Sequence, residues 1–237
     1  MSRFFTENLG SPTVTLAGED VRHMVTVLRL RPGDTVTLVD GQGLECEAEI
    51  LSVSAGTATL QCGPLRACKS EPKHRVTLFQ CLPKAGKLET VLQKGTELGL
   101  FALCPVVSER CVVLPGKEFE KKRIRYQKVA EEAAKQSRRG IIPEVLPLQI
   151  LKHLDFSGYD TVLLAYEEET EMTLKKALAE AGEKIALIIG PEGGFSQEEA
   201  ELLKSKGAVS ISLGPRILRT ETAGPAALAE ILFFLEG

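Results

Sequence analysis

The sequence predicts an α/β domain built on a largely parallel sheet, preceded by a smaller, mostly β domain. Three observations carry this. The first 70 or so residues return again and again to short strand-like runs divided by turn signals. A polar stretch, Ala67-Cys68-Lys69-Ser70-Glu71-Pro72-Lys73, then ends in a proline. Beyond it, apolar runs such as Ile185-Ala-Leu-Ile-Ile189 alternate with helical patterns. Such runs are too continuous for a half-exposed strand and are expected where helices cover a parallel sheet. The domains are placed at 1–72 and 73–237, and a chain of 237 residues is long enough to bury a core in each.

In the first domain one helix is expected over about Glu19 to Leu28, where Val21, Met24, Val25 and Leu28 share a face. Thr35–Val39 reads as a strand and Asp40-Gly41-Gln42-Gly43 as a turn. From Leu44 to Val53 apolar and polar residues alternate, with Leu44, Cys46, Ala48 and Ile50 expected inward against Glu45, Glu47 and Glu49. Ser54-Ala55-Gly56 turns again and Thr57–Cys62 returns as a strand, a meander that suits a small barrel. In the second domain the expected strands are Arg75–Leu82, Ala102–Ser108, Thr161–Tyr166, Lys184–Ile189 and Ala208–Leu213. The expected helices are Leu88–Leu98, Phe119–Ser137, Thr173–Ala181, Gln197–Ser205 and about Thr222–Leu235.

Composition narrows the function classes. No apolar run is long enough to span a bilayer, and the N-terminus lacks the apolar run of a secretion signal, so a cytoplasmic protein without membrane attachment is expected. The six cysteines include no Cys-x-x-Cys and no Cys/His pair with zinc-finger spacing; no metal site is expected. Cys46, Cys62 and Cys81 read as small buried hydrophobes in a reducing compartment. The net charge of −3 argues against a generally basic nucleic-acid binder. Its distribution says more: from Lys117 to Arg139 nine basic residues face four acidic ones. Such a stripe suits either RNA phosphates or a solvated helix face.

Three segments carry possible chemistry. In the first, the strand Lys184–Ile189 runs into Gly190-Pro191-Glu192-Gly193-Gly194 and then a helix with Ser196 as N-cap and Glu199 completing a capping box. Glycine lets backbone approach a ligand there, and ligands of open α/β sheets sit beyond the strands' carboxyl ends. The spacing fits neither a dinucleotide fingerprint nor a Walker loop. A tight strand-to-helix turn and a ligand loop are both open on these residues alone. In the second, Leu213-Gly214-Pro215-Arg216-Ile217-Leu218-Arg219-Thr220-Glu221-Thr222-Ala223 leads into the last helix, with Thr220 or Thr222 as its cap and Pro225 near its first turn. Arg219 and Glu221 there are either functional or a surface pair. The third is the strand end Leu163-Leu164-Ala165-Tyr166-Glu167. Three strand ends on one edge would form a crevice, the default ligand site.

Together these segments resemble the knotted SPOUT superfamily of methyltransferases, and most closely the family that methylates N3 of a uridine in 16S ribosomal RNA. The resemblance is carried further by Lys94-Gly95-Thr96-Glu97-Leu98-Gly99, Ser108-Glu109-Arg110 and Glu132-Ala133-Ala134-Lys135-Gln136-Ser137-Arg138-Arg139. Near the N-terminus, Arg3-Phe4-Phe5 and His23-Met24-Val25-Thr26-Val27-Leu28-Arg29, followed by Pro32-Gly33-Asp34, belong to the same likeness. It covers nearly the whole chain. The chain departs from the family at Arg138, where a small residue is usual, and at Gly224-Pro225, where alanine-like helix residues are usual.

The resemblance implies a PUA-like, RNA-binding β-barrel followed by an α/β domain whose last segments thread a deep trefoil knot. It also implies a homodimer, S-adenosylmethionine as cofactor, and 16S ribosomal RNA or the small ribosomal subunit as partner. Cofactor contacts are expected from Leu164, Ala165, Tyr166 and Glu167; from Ile189, Gly190, Pro191, Glu192, Gly193 and Gly194; and from Leu213, Gly214, Ile217, Leu218, Arg219, Thr222 and Ala223. Arg219 is the expected catalytic cation, poised on a uracil oxygen, with Glu192 or Glu221 as base or orienter. RNA contacts are expected from Arg3, His23, Arg29, Arg110, Arg123 and Arg139. A non-catalytic RNA-binding assembly factor and a nucleotide-binding α/β enzyme remain the alternatives.

Overall fold

The computed structural model describes every residue except Met1, Ala55, Ala85, Leu114, Pro115, Lys117 and Glu118. Ala55 of the expected turn, and Lys117 and Glu118 of the charged stripe, therefore lie outside the described residues. The chain divides into two units: Met1–Glu71 together with Ala134–Ile142, and Pro72–Ala133 together with Pro143–Gly237.

The first unit holds six strands: β1 (Arg3–Phe5), β2 (Thr13–Ala17), β3 (Thr35–Val39), β4 (Leu44–Ser54), β5 (Thr57–Cys62) and β6 (Arg66–Ala67). They pair in the order β1-β3-β4-β5-β2, with β6 on β4. Only the β1–β3 pair is parallel. Its core gathers Met24, Leu38, Cys46, Ile50 and Leu60. Cys46, Ala48 and Ile50 point inward as expected, but Leu44 is 42% exposed and Glu45 is buried. The inversion has an electrostatic cause. Glu45 receives Arg3 Nη2 at 2.8 Å on one oxygen and Arg66 Nε at 3.0 Å on the other. Burial pushes its carboxyl up, yet a Cys68 hydrogen bond and the two guanidinium groups hold it below the usual range.

The expected helix starts at Glu19 but is α-helical only through Arg22 (α1, Glu19–Arg22); a π turn, His23–Val27, follows. The wider turn breaks the 3.6-residue face. Val21 and Met24 are buried, while Val25 and Leu28 are exposed. The turn closes at Arg29, whose φ of 56° is left-handed.

The second unit carries seven strands, all parallel. They are β7 (Arg75–Cys81), β8 (Ala102–Val107), β9 (Glu144–Val145), β10 (Gln149–Ile150), β11 (Thr161–Ala165), β12 (Lys184–Ile189) and β13 (Val209–Ile211). The order is β10-β8-β7-β12-β11-β13, and β9 also pairs with β8. After their first residue β7 and β12 are buried without a break, as their continuous apolar runs predict. The helices are α2 (Lys87–Glu97), α3 (Phe119–Gln136), α4 (Leu174–Ala177), α5 (Gln197–Ser205) and α6 (Thr220–Glu236). From Ala134 onward α3 belongs to the first unit. The α4 helix stops early because Ala179 and Ala181 bond three residues back, to Lys176 and Leu178, and so tighten into turns.

The last helix begins two residues before the expected Thr222. Arg219 is its N-cap and no side chain caps it. The Thr220 hydroxyl, read from sequence as a possible cap, bonds elsewhere. Pro225 lies inside the helix. Gly224 lets α6 approach β7: a Cβ there would meet Leu78 Cδ2 at 3.1 Å and Gln80 Oε1 at 3.3 Å.

Among the described residues no helix is long and apolar enough to cross a membrane. Cys46 and Cys81 are buried and Cys62 is half-buried.

Candidate functional site

In a parallel sheet every strand ends at the same edge. Here the adjacent ends of β12, β11 and β13 open into one cavity of about 810 Å³. The β11 end contributes Ala165, Tyr166 and Glu167. The β12 loop contributes Ile189, Gly190, Pro191 and Gly194. The β13 loop and the start of α6 add Leu213, Gly214, Ile217, Leu218 and Ala223. The structure thus brings together the three strand ends that the sequence singles out. Five of the expected residues stand apart from the lining. Leu164 is fully buried within the sheet. Glu192, Gly193, Arg219 and Thr222 lie outside the cavity wall.

The glycine loop is shaped by its own chemistry. Gly194 has a φ of 65°, and a Cβ on it would come within 2.8 Å of Glu167 Oε1. A Cβ on Gly190 would meet the buried Phe195 ring at 3.1 Å. The expected capping box is present. Ser196 Oγ accepts from the Glu199 N–H at 3.3 Å, and Glu199 Oε2 accepts from the Ser196 N–H at 3.1 Å. The second Glu199 oxygen accepts from the Glu109 N–H at 2.8 Å, and Arg110 Nη1 donates to the Gly193 carbonyl at 3.0 Å. The loop after β8 is therefore tied to the loop after β12.

The two expected catalytic carboxylates meet on a lysine that sequence reasoning missed. Lys87, the first residue of α2, places Nζ 3.0 Å from Glu192 Oε1 and 3.1 Å from Glu221 Oε2. Glu192 Oε1 also accepts from the Lys84 N–H at 3.1 Å. Burial pushes the Glu192 carboxyl up, but the Lys84 N–H and Lys87 outweigh it and leave it below the usual range. Glu221 is lowered first by its own backbone N–H, against partial burial, and then by Lys87 and Arg219. Glu221 is therefore paired with Lys87. Arg219 is exposed and, among the described residues, makes no ion pair.

The lining also includes residues outside the sequence expectation. The loop after β11 supplies Glu169, Thr170 and Thr173, α4 supplies Lys175, and α6 supplies Thr220, Glu230 and Phe234. The acidic run Glu167-Glu168-Glu169 beside a strand end was the available signal for the first group. No local signal marks Lys87, whose partners lie more than a hundred positions away.

Of the expected RNA contacts, His23 and Arg29 are exposed on the first unit. Arg110 is exposed on the second, while Arg123 Nε pairs with Glu120 at 2.7 Å and its Nη1 donates to the Val145 carbonyl. Two of the expected residues are engaged within the first unit. The Arg139 side chain is only 3% exposed and grips Glu71 Oε2 at 2.7 Å. Arg3 is committed to Glu45 and its side chain is only 15% exposed.

Fold and site define an α/β ligand-binding domain whose cavity lies at the carboxyl edge of a parallel sheet. Comparison with known proteins makes this specific. Residues 69–232 match the RNA methyltransferase domain family, and residues 16–61 match the RNA methyltransferase PUA domain. The chain belongs to the RNA methyltransferase family. It is 36% identical to ribosomal RNA small subunit methyltransferase E of Bacillus subtilis, over all of this chain and 98% of that one. It is 35% identical to the protein of the same name from Mycobacterium tuberculosis, over 90% of this chain and 84% of the other. Among solved structures it is similar to ribosomal RNA small subunit methyltransferase E from Neisseria gonorrhoeae bound to S-adenosyl methionine. That match has a TM-score of 0.85 at 31% identity and covers 98% of this chain and 96% of the other.

Proposed function

We propose that this protein transfers a methyl group from S-adenosylmethionine to N3 of a uridine in 16S ribosomal RNA of the small subunit, acting in the cytoplasm. The observation that carries this is the cavity shared by the ends of β11, β12 and β13, in a chain similar along its length to a relative solved with S-adenosyl methionine. The residues present fit that cofactor. The volume is within the range of small-molecule sites. Three carboxylates in the lining (Glu167, Glu169, Glu230) outnumber its two cations (Lys175, Arg216), which suits a ligand carrying a sulfonium. Gly190 and Gly194 bring bare backbone to the wall. The cavity residues named above, with Leu164, Glu192, Gly193, Arg219 and Thr222 around them, are assigned to the cofactor site.

When bound, the cofactor supplies an electrophilic methyl with a good leaving group, so this chain's residues have only to orient the uracil and manage its N3 proton. Arg219 is assigned to the uracil oxygen beside N3, where a cation stabilises the anion left when the proton departs. Its exposure and its lack of an ion pair among the described residues support that role. Glu192 and Glu221 are assigned as orienters instead of bases. A carboxylate held on Lys87 below its usual range is a weak proton acceptor. The first unit is assigned to RNA binding through the exposed His23 and Arg29, with Arg110 and Arg123 on the second. The six-strand sheet is read as curling into a PUA-like barrel over 1–72, and the last segments of 73–237 as threading a trefoil knot. The exposed Ile217 (86%) and Phe233 (74%) support a homodimer buried over that strip.

The test is labelled methyl transfer to 16S ribosomal RNA, followed by mass spectrometry of its nucleosides. The expected product is 3-methyluridine. Nucleoside triphosphate binding without S-adenosylmethionine binding would overturn the assignment, and light scattering of the purified chain tests the dimer.

A further inference from the structure

We infer that Gln80, a residue that does not line the cavity, is a positioning residue for cofactor binding, acting through the Thr220 hydroxyl on the Gly190 carbonyl. The inference rests on the cavity's being the S-adenosylmethionine site.

Gln80 lies one residue before the end of β7 and is completely buried. Its Nε2 is 3.1 Å from the Cys81 carbonyl and 2.9 Å from Thr220 Oγ1. A carbonyl only accepts, so the amide nitrogen must face Cys81, and the reverse orientation of the amide is excluded. Both amide hydrogens are thereby committed. Thr220 Oγ1 consequently accepts from Gln80 and directs its own hydrogen to the Gly190 oxygen, at 2.6 Å. The direction of the relay is thus fixed from Gln80 outward. It joins the end of β7, the turn after β12 and the first residue of α6. The last two of these bear on the cavity wall.

Stability alone is a poor reason for this amide. Among the described residues Gln80 Oε1 is buried with no hydrogen-bond partner, facing the bare Cα of Gly224. An unpaired buried oxygen costs free energy that an apolar side chain of the same size would avoid. What the amide supplies is a fixed direction for the Thr220 hydroxyl. Movement at Gly190 is otherwise restricted: Phe195 covers the position of its missing Cβ, and Pro191 follows with no N–H. Release of its carbonyl lets the loop turn, and the wall of the cavity with it.

The experiment is calorimetric titration of S-adenosylmethionine into the full chain and four variants, each paired with a thermal melt. Gln80→Met keeps the volume and removes both donors; the expected result is a cooperative melt with Kd raised at least ~10-fold, the scale of one lost polar contact. Gln80→Glu replaces the donor with an acceptor and draws the Thr220 hydrogen away from Gly190, so it is expected to bind no better than Gln80→Met. Thr220→Ser keeps the hydroxyl and is expected within ~3-fold of the parent. Gln80→Met binding with the parent's Kd overturns the inference while leaving the cofactor reading intact. Absence of binding by the parent chain overturns both. If Gln80→Met does not melt cooperatively, Thr220→Val decides: it too is expected to lose at least ~10-fold, and a parental Kd overturns the inference.

Discussion

Arg219 stands at the N-cap of α6 with its guanidinium exposed and unpaired among the described residues. Its removal breaks no ion pair among the described residues. Arg219→Ala is expected to melt like the parent and to lose at least ~100-fold in methyl transfer, the scale of one charge-stabilising donor; a near-parental rate on ribosomal RNA removes it from the mechanism. Lys87 makes the opposite kind of prediction. Its two carboxylate partners are held below their ordinary range in the folded chain. A carboxyl lowered on folding contributes stability that is complete above its unfolded value and is lost as pH falls through its folded one. Lys87→Met is thus expected to melt below the parent near neutral pH and to converge with it as pH falls below the range where both carboxyls ionise. Melting temperatures that differ by a constant amount across that range would refute the clamp.

Among the elements, the two departures expected from the resemblance have a local structural setting. Arg138 follows the end of α3 with a φ of 60°; the Arg139 N–H reaches back to the Ala134 carbonyl at 2.9 Å. This is the left-handed closure of a helix end, where glycine is preferred. Arg138→Gly is expected to raise stability by about 1 kcal/mol in urea titration, and a loss of stability counts against the strain. The other departure, Gly224, is the close approach of α6 to β7 described above. Elements whose signal is local were legible: β12 and α5 match their expected bounds, and the capping box at Ser196 is present. Those decided by tertiary partners were not. Glu45 is inward because two arginines meet it there, and α6 starts at Thr220 because that hydroxyl has a distant carbonyl to bond. The short strands β1, β9 and β10 carry too few residues to show a period at all.

For the whole molecule, the cavity was legible because its walls are glycine-rich strand ends. The network holding those walls was not, because Lys87 and Gln80 find their partners only after folding. Nor did anything in the sequence suggest that Ala134–Ile142 belongs with the first unit. Glu71 holds that segment in place. Besides Arg139, it accepts from the Gly140 N–H at 2.5 Å and the Ile141 N–H at 3.1 Å. Loss of one partner of so buried a pair is costly: Arg139→Met is expected to destabilise the first unit by about 3–5 kcal/mol in urea unfolding, and a change below ~1 kcal/mol would contradict a stapling role.

That arrangement also sets an order for biosynthesis. Because its closing segment is encoded after more than sixty residues of the other unit, the N-terminal unit cannot complete itself as soon as its own strands emerge. It must wait until residue 142 has cleared the exit tunnel. A fragment ending at Glu71 would lack the piece that satisfies Glu71. The two units are consequently interleaved in time as well as in sequence.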